Sequence, residues 1–75
     1  MEILIVEDEK EIAQLISNCL QREGFNCHSV YDGLSALEKV KTIQPDLIIL
    51  DLMLPYINGL DLCRLIRREG NNVPI

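Results

Sequence analysis

The sequence predicts an α/β fold: a parallel sheet with helices on both faces, ordered β-α-β-α-β-α and ending on the opening of a fourth strand. Three observations predict it. The hydrophobic pattern switches repeatedly between short continuous aliphatic runs and stripes at three- and four-residue spacing. Two of the runs, Ile3-Leu4-Ile5-Val6 and Leu47-Ile48-Ile49-Leu50, are apolar without alternation, the pattern of strands covered on both faces. Breakers punctuate the switches, at Gly24, Asp32-Gly33, Gln44-Pro45-Asp46 and Gly70.

Each element follows from its residues. The first strand, Ile3 to Val6, stops at Glu7-Asp8-Glu9. Ile12, Leu15, Ile16, Cys19 and Leu20 then form the stripe of an amphipathic helix. Asp8 and Glu11 have capping-box spacing at its start, and Gly24 offers a left-handed exit at its end. Phe25 to Tyr31 reads as a second strand, more polar and therefore an edge. Leu34, Leu37, Val40 and Ile43 mark a second helix, which Pro45 breaks. Leu47 to Leu50 is the third strand, ending at Asp51. Residues 52–58 form a loop. Leu60, Leu62, Leu65 and Ile66 line a third helix closed by Gly70, and Val73-Pro74-Ile75 opens a further strand.

Strands alternating with helices imply right-handed crossovers into a parallel sheet. With the polar second strand at an edge, the first strand lies between the second and the third. The crossover direction then reverses, placing the first helix on one face and the other two on the opposite face. The reversal makes a switch point at the carboxyl ends of strands one and three, where such sheets bind ligands.

Bulk properties bound the function. A chain of 75 residues holds at most one small domain with a thin core. Its 48% hydrophobic and 25% charged content fits a folded chain rather than a disordered one. Phe25, Tyr31 and Tyr56 are the only aromatics, so the core must be aliphatic. A net charge of −5 argues against gripping a polyanion and for a cation or a basic partner. Cys19, Cys27 and Cys63 are odd in number and form no C-x-x-C pair, which predicts small, mostly buried thiols in a reducing cytosol. No positively charged leader and no apolar stretch of membrane-spanning length is present.

The acidic residues carry the chemistry. Glu7 and Asp8 end the first strand and Asp51 ends the third, on strands about 5 Å apart in the inferred order. Three converging carboxylates raise one another's pKa unless a cation compensates. A hard divalent ion, Mg²⁺ above all, is the simplest solution, and a carboxylate beside it can act as a nucleophile toward phosphorus. Asp8 alone could be a helix cap and Glu7 alone a solvated loop residue. Asp51 resists such readings, because nothing local rewards a charge at the end of an aliphatic strand.

At this point ILIVEDE, DG-x-x-AL at 32–37 and PDLIILDLMLP-x-x-x-G at 45–59 resemble the receiver domain of bacterial two-component response regulators, closest to the transcription-factor type with a winged-helix output. The resemblance implies a flavodoxin-like fold in which Asp51 accepts a phosphoryl group from a histidine kinase. It implies that Asp8 binds Mg²⁺ directly, that Glu7 assists, that the backbone carbonyl of Met53 completes the metal shell, and that Pro55 and Gly59 shape the loop. It further implies a cytoplasmic signalling protein that is no conventional enzyme and that meets DNA only through a downstream domain. A full receiver runs to roughly 120 residues, so residues 1–75 are expected to be a partial domain lacking its carboxyl-terminal portion.

Other residues are expected to be structural. His28 has no partner at ligand spacing and reads as a surface residue. Arg64, Arg67 and Arg68 read as a solvated face, and Met53, Leu54 and Tyr56 as loop residues. An uncovered third strand would pair with something, so self-association through it is expected. Competing functions fit less well. A Mg²⁺-dependent phosphohydrolase would need a general-acid Asp where Met53 stands. A dinucleotide-binding half-domain would need G-x-G-x-x-G where EDEKEI stands. A non-catalytic dimerising fragment is the alternative to the phosphoacceptor.

Overall fold

The computed structural model describes residues 1–75. Its elements are β1 (Glu2–Val6), α1 (Lys10–Arg22), β2 (Asn26–Val30), α2 (Gly33–Ile43), β3 (Leu47–Leu50) and α3 (Gly59–Arg68). The three strands form one parallel sheet in the order β2-β1-β3, as the polarity of the second strand requires. β2 is one residue shorter at each end than the sequence suggests.

The alternating residues of β1 divide the core. Leu4 and Val6 face α2 and α3, where Val30, Ala36, Val40, Ile48, Leu54, Leu62, Ile66 and Val73 close around them. Ile3 and Ile5 face α1, where Ala13, Ile16 and Leu20 meet them with Phe25 and Cys27. The crossover reversal therefore places the helices as the topology demands.

Several expectations need correcting. α1 presses Ala13 and Ser17 onto the sheet, while Ile12, Leu15 and Cys19 of the expected stripe are exposed. The five-residue stripe spans a wide arc, and only the sheet-facing side of it finds a partner. Leu34 and Leu60 are exposed for the same reason, at the outer edges of their helices. Leu54 is not a loop residue at the surface but part of the core, at 6% exposure. β3 is fully buried only at Ile48.

Helix ends show which local signals act. Asp32 caps α2 through a 2.8 Å bond from the Ser35 amide, and Asn58 caps α3 through a 2.9 Å bond from the Asp61 amide. The Asp8–Glu11 capping box does not form. α1 starts at Lys10 behind Glu9, which makes no side-chain cap bond, and Asp8 lies outside the helix. Gly24 and Gly70 adopt positive φ past α1 and α3, whereas α2 exits through a left-handed Gln44, which no sequence signal marks. Asp32→Ala is expected to cost about 1 kcal/mol of stability, readable as a lower urea midpoint at unchanged slope.

The segment 71–75 forms no regular strand, yet it is held in place. Ile48 N–H donates to the Pro74 carbonyl at 2.9 Å, and Val73 is buried. Arg67, expected to face solvent, donates to the carbonyls of Asn71 and Val73 at 3.1 and 2.6 Å. One donor on the outer edge of β3 is thus satisfied within the chain, which removes part of the drive for pairing between copies.

Candidate functional site

Parallel pairing carries on past the strand ends and sets the site. Asp51 N–H donates to the Val6 carbonyl at 3.0 Å, and Glu7 N–H to the Val30 carbonyl at 3.1 Å. Glu7 and Asp51 therefore leave the sheet side by side, in register with the Val6–Leu50 pair beneath them. Asp8 follows at the mouth. One carboxylate oxygen from each of Glu7, Asp8 and Asp51 lies within 4.8 Å of the others. The structure brings together all three acidic residues that the sequence singles out.

Their environments differ. Glu7 is buried at 7% exposure, Asp51 is half-buried, and Asp8 is open to solvent. Hydrogen bonding to the Asp51 carboxyl, then burial and the negative charge of Asp51, push the Glu7 pKa up to about 7. Asp51 moves the other way. The Met53 amide donates to its Oδ1 at 2.9 Å, and this bond first, with the Glu7 contact second, holds its carboxyl below the usual range. Of the two carboxyls, Glu7 therefore binds a proton the more tightly.

Two features bear on whether the cluster suits a cation. Glu7 Oε2 is buried and has no hydrogen-bond partner, which is costly for a carboxylate oxygen. The Met53 carbonyl, two residues past Asp51, accepts no hydrogen bond within the chain, and neither does that of Leu54, whereas that of Leu52 accepts from the Gly59 amide. Three carboxylates and one free carbonyl are an all-oxygen donor set that suits a hard divalent ion. The Met53 side chain itself points away, at 85% exposure.

The profile of the response regulator receiver domain matches residues 3–75. The chain belongs to that family. Receivers of this family are signalling modules, and the relatives agree. The alkaline phosphatase synthesis transcriptional regulatory protein SphR of Synechococcus elongatus is 48% identical over 82 residues, covering 97% of this chain and 32% of the relative. The DNA-binding response regulator MtrA of Mycobacterium tuberculosis is 44% identical over 73 residues, with the same coverage. This receiver chain thus spans about a third of the length of the curated relatives it matches. Among solved structures, the Francisella response regulator 1452 receiver domain superposes with a TM-score of 0.93 at 33% identity, covering 97% of this chain and 60% of that one. TrrA of Thermotoga maritima, solved in complex with Mg²⁺-BeF, gives 0.86 at 38% identity, covering 91% of this receiver chain and 59% of TrrA.

The larger surface hollow of the receiver lies at the opposite end of the sheet and holds no part of the acidic cluster. There His28 Nε2 and Glu2 Oε1 are 2.8 Å apart, and Asn26 donates to the other Glu2 oxygen at 2.8 Å. His28, expected to be a plain surface residue, is half-buried in this cross-strand network. Only strand register reveals it, because Glu2 and His28 are distant in sequence. No helix is long and apolar enough to cross a membrane.

Proposed function

We propose that these 75 residues act as the amino-terminal portion of a phosphoacceptor receiver domain, in which Asp51 accepts a phosphoryl group from a phosphohistidine of a histidine kinase. The observation that carries this is the convergence of Glu7, Asp8 and Asp51, with the Asp51 carboxyl held below its usual range. Met53 N–H occupies Asp51 Oδ1, so the second oxygen, which has no backbone donor, is the one that attacks phosphorus. An O–P bond forms, the N–P bond of the donor breaks, and the histidine nitrogen leaves with the electron pair. Glu7, Asp8, Asp51 and the Met53 carbonyl would hold Mg²⁺, which supplies positive charge against the phosphoryl oxygens when bound. The unpaired Glu7 oxygen and the free Met53 carbonyl support this ligand set.

On this reading the protein is a relay rather than a conventional enzyme, works in the cytoplasm beside its kinase, and reaches DNA only through residues outside this chain. The names of SphR and MtrA support a transcriptional output, and the net charge of −5 suits no direct DNA contact here.

Incubation with Mg²⁺ and acetyl phosphate tests the acceptor directly. Mass spectrometry is expected to find a phosphoryl adduct on Asp51 that disappears with EDTA and in Asp51→Asn. An adduct on another residue, or none in the wild-type chain, sinks the assignment.

A further inference from the structure

We propose that Tyr31 is a positioning residue for the cation site: its ring holds the Lys10 ammonium away from Glu7, Asp8 and Asp51 and so keeps the three carboxylates open to Mg²⁺. This rests on the phosphoacceptor reading and adds to it a residue outside the donor set.

Lys10 stands where a cation is least at home. It is the first residue of α1, at the positive end of the helix dipole. That helix start lies just past the carboxyl end of β1, beside Glu7 and Asp8. All seven Lys and Arg residues are helical, and Lys10 alone lies in the first half of its helix. Helices that return between parallel strands carry their second halves away from the strands' carboxyl ends. Lys10 is therefore the one basic side chain at the acidic end, two residues past Asp8 on a flexible four-carbon stem.

A lysine so placed would ordinarily pair with a carboxylate, and Glu9 and Glu11 flank it as well. Yet the ion pairs of this chain are His28–Glu2, Lys41–Glu69 and Arg64–Asp61, and none involves Lys10. Its ammonium lies instead over the Tyr31 ring, 5.1 Å from the centroid, within the range of a cation–π contact. The sheet puts Tyr31 there. Glu7 N–H donates to the Val30 carbonyl, so the residue after Val30 leaves β2 level with the first carboxylate.

The contact decides which cation meets the cluster. Released from the ring, the ammonium can swing to the carboxylates, and a cation tethered two residues from Asp8 then competes with Mg²⁺ for the same oxygens. An exposed cation–π contact shifts an equilibrium by about two- to fivefold, and that factor bounds how far Mg²⁺ binding depends on Tyr31. The ring is 40% exposed, so leucine in its place loses little burial.

The test is a Mg²⁺ titration of the full 75-residue chain, followed by backbone amide NMR shifts, alongside urea unfolding of each variant. Tyr31→Leu is expected to weaken Mg²⁺ binding about two- to fivefold. Tyr31→Phe keeps the ring and should leave binding unchanged. In a Lys10→Gln background Tyr31→Leu should have no effect, because the competing cation is gone. A wild-type dissociation constant in Tyr31→Leu overturns the proposal, and so does the same weakening with and without Lys10. Should Tyr31→Leu not fold, the wild-type chain supplies a second readout. Its Lys10 side-chain methylene protons should be shifted upfield by the ring, before and after Mg²⁺ is added, and unshifted protons overturn the proposal too. Failure of the wild-type chain to bind Mg²⁺ would instead strike the phosphoacceptor reading while leaving the upfield shift in place.

Discussion

Asp51→Asn is expected to bind Mg²⁺ at least tenfold more weakly than the wild-type chain and yet, in metal-free buffer at pH 7 to 8, to melt at a higher temperature. Both effects come from one cause. Asp51 holds the Glu7 pKa up to about 7, through hydrogen bonding first and through its charge after burial. Glu7 in the unfolded chain titrates near the ordinary value of 4.5. The folded chain therefore binds this proton more tightly than the unfolded one. Its contribution to stability is complete below about pH 4.5 and disappears as the pH rises through 7. Asp51 has the opposite sign: its lowered pKa favours the fold above the ordinary 3.8 and ceases to do so as the pH falls through the folded value.

Asparagine at 51 removes the charge that opposes Glu7 and keeps an oxygen for the Met53 amide. Its amide can also donate to a Glu7 carboxylate that now ionises freely. Part of the Glu7 shift comes from burial and persists, so the gain is about 1 kcal/mol, or roughly 4–8 °C for a chain of this size. The wild-type melting temperature should fall between pH 5 and 8 with a steeper slope than that of the variant. Equal slopes by calorimetry would mean that Asp51 does not control the Glu7 proton. Added Mg²⁺ should reverse the order above pH 7, because it binds the folded wild type and rewards the ionised cluster.

Leu4→Ala is expected to unfold much of the chain at 25 °C. Leu4 is fully buried on the central strand, inside the larger of the two clusters that the sheet separates. Loss of a buried leucine and the cavity it leaves cost about 3 kcal/mol. Small domains have little more than that to lose. Far-UV circular dichroism should show the loss, whereas Leu15→Ala, at a residue 63% exposed, should change stability by less than about 0.5 kcal/mol. Mg²⁺ at one hundred times its dissociation constant should return about 2.7 kcal/mol to the folded state, so Leu4→Ala should refold on adding the ion. No recovery with Mg²⁺ would separate the cation site from the folded state.

The acidic site was legible because its three residues end strands whose neighbours are decided by polarity. A polar β2 belongs at an edge, β1 is then central, and the end of β3 must lie beside Glu7 and Asp8. What Asp8 does locally was misleading: Asp-x-x-Glu spacing suggested a cap, but the helix begins two residues later and Asp8 turns to the carboxylate cluster instead. Leu54 looks like an exposed loop leucine until the 52–58 loop folds under α3. Arg67 stays exposed as expected, and only the 71–75 segment reveals that its guanidinium has carbonyl partners.

Hydrophobic period and breaker positions by themselves determined the element order, the sheet order, the division of helices between faces and the meeting of Glu7, Asp8 and Asp51. These depend on backbone pattern, which repeats along the chain and can be counted. Tertiary structure alone decided which carboxyl binds a proton the more tightly, which side of each apolar stripe is covered, and where the Lys10 ammonium rests. Those outcomes depend on distances of a few ångströms between atoms far apart in sequence, and a one-dimensional pattern carries no record of such distances.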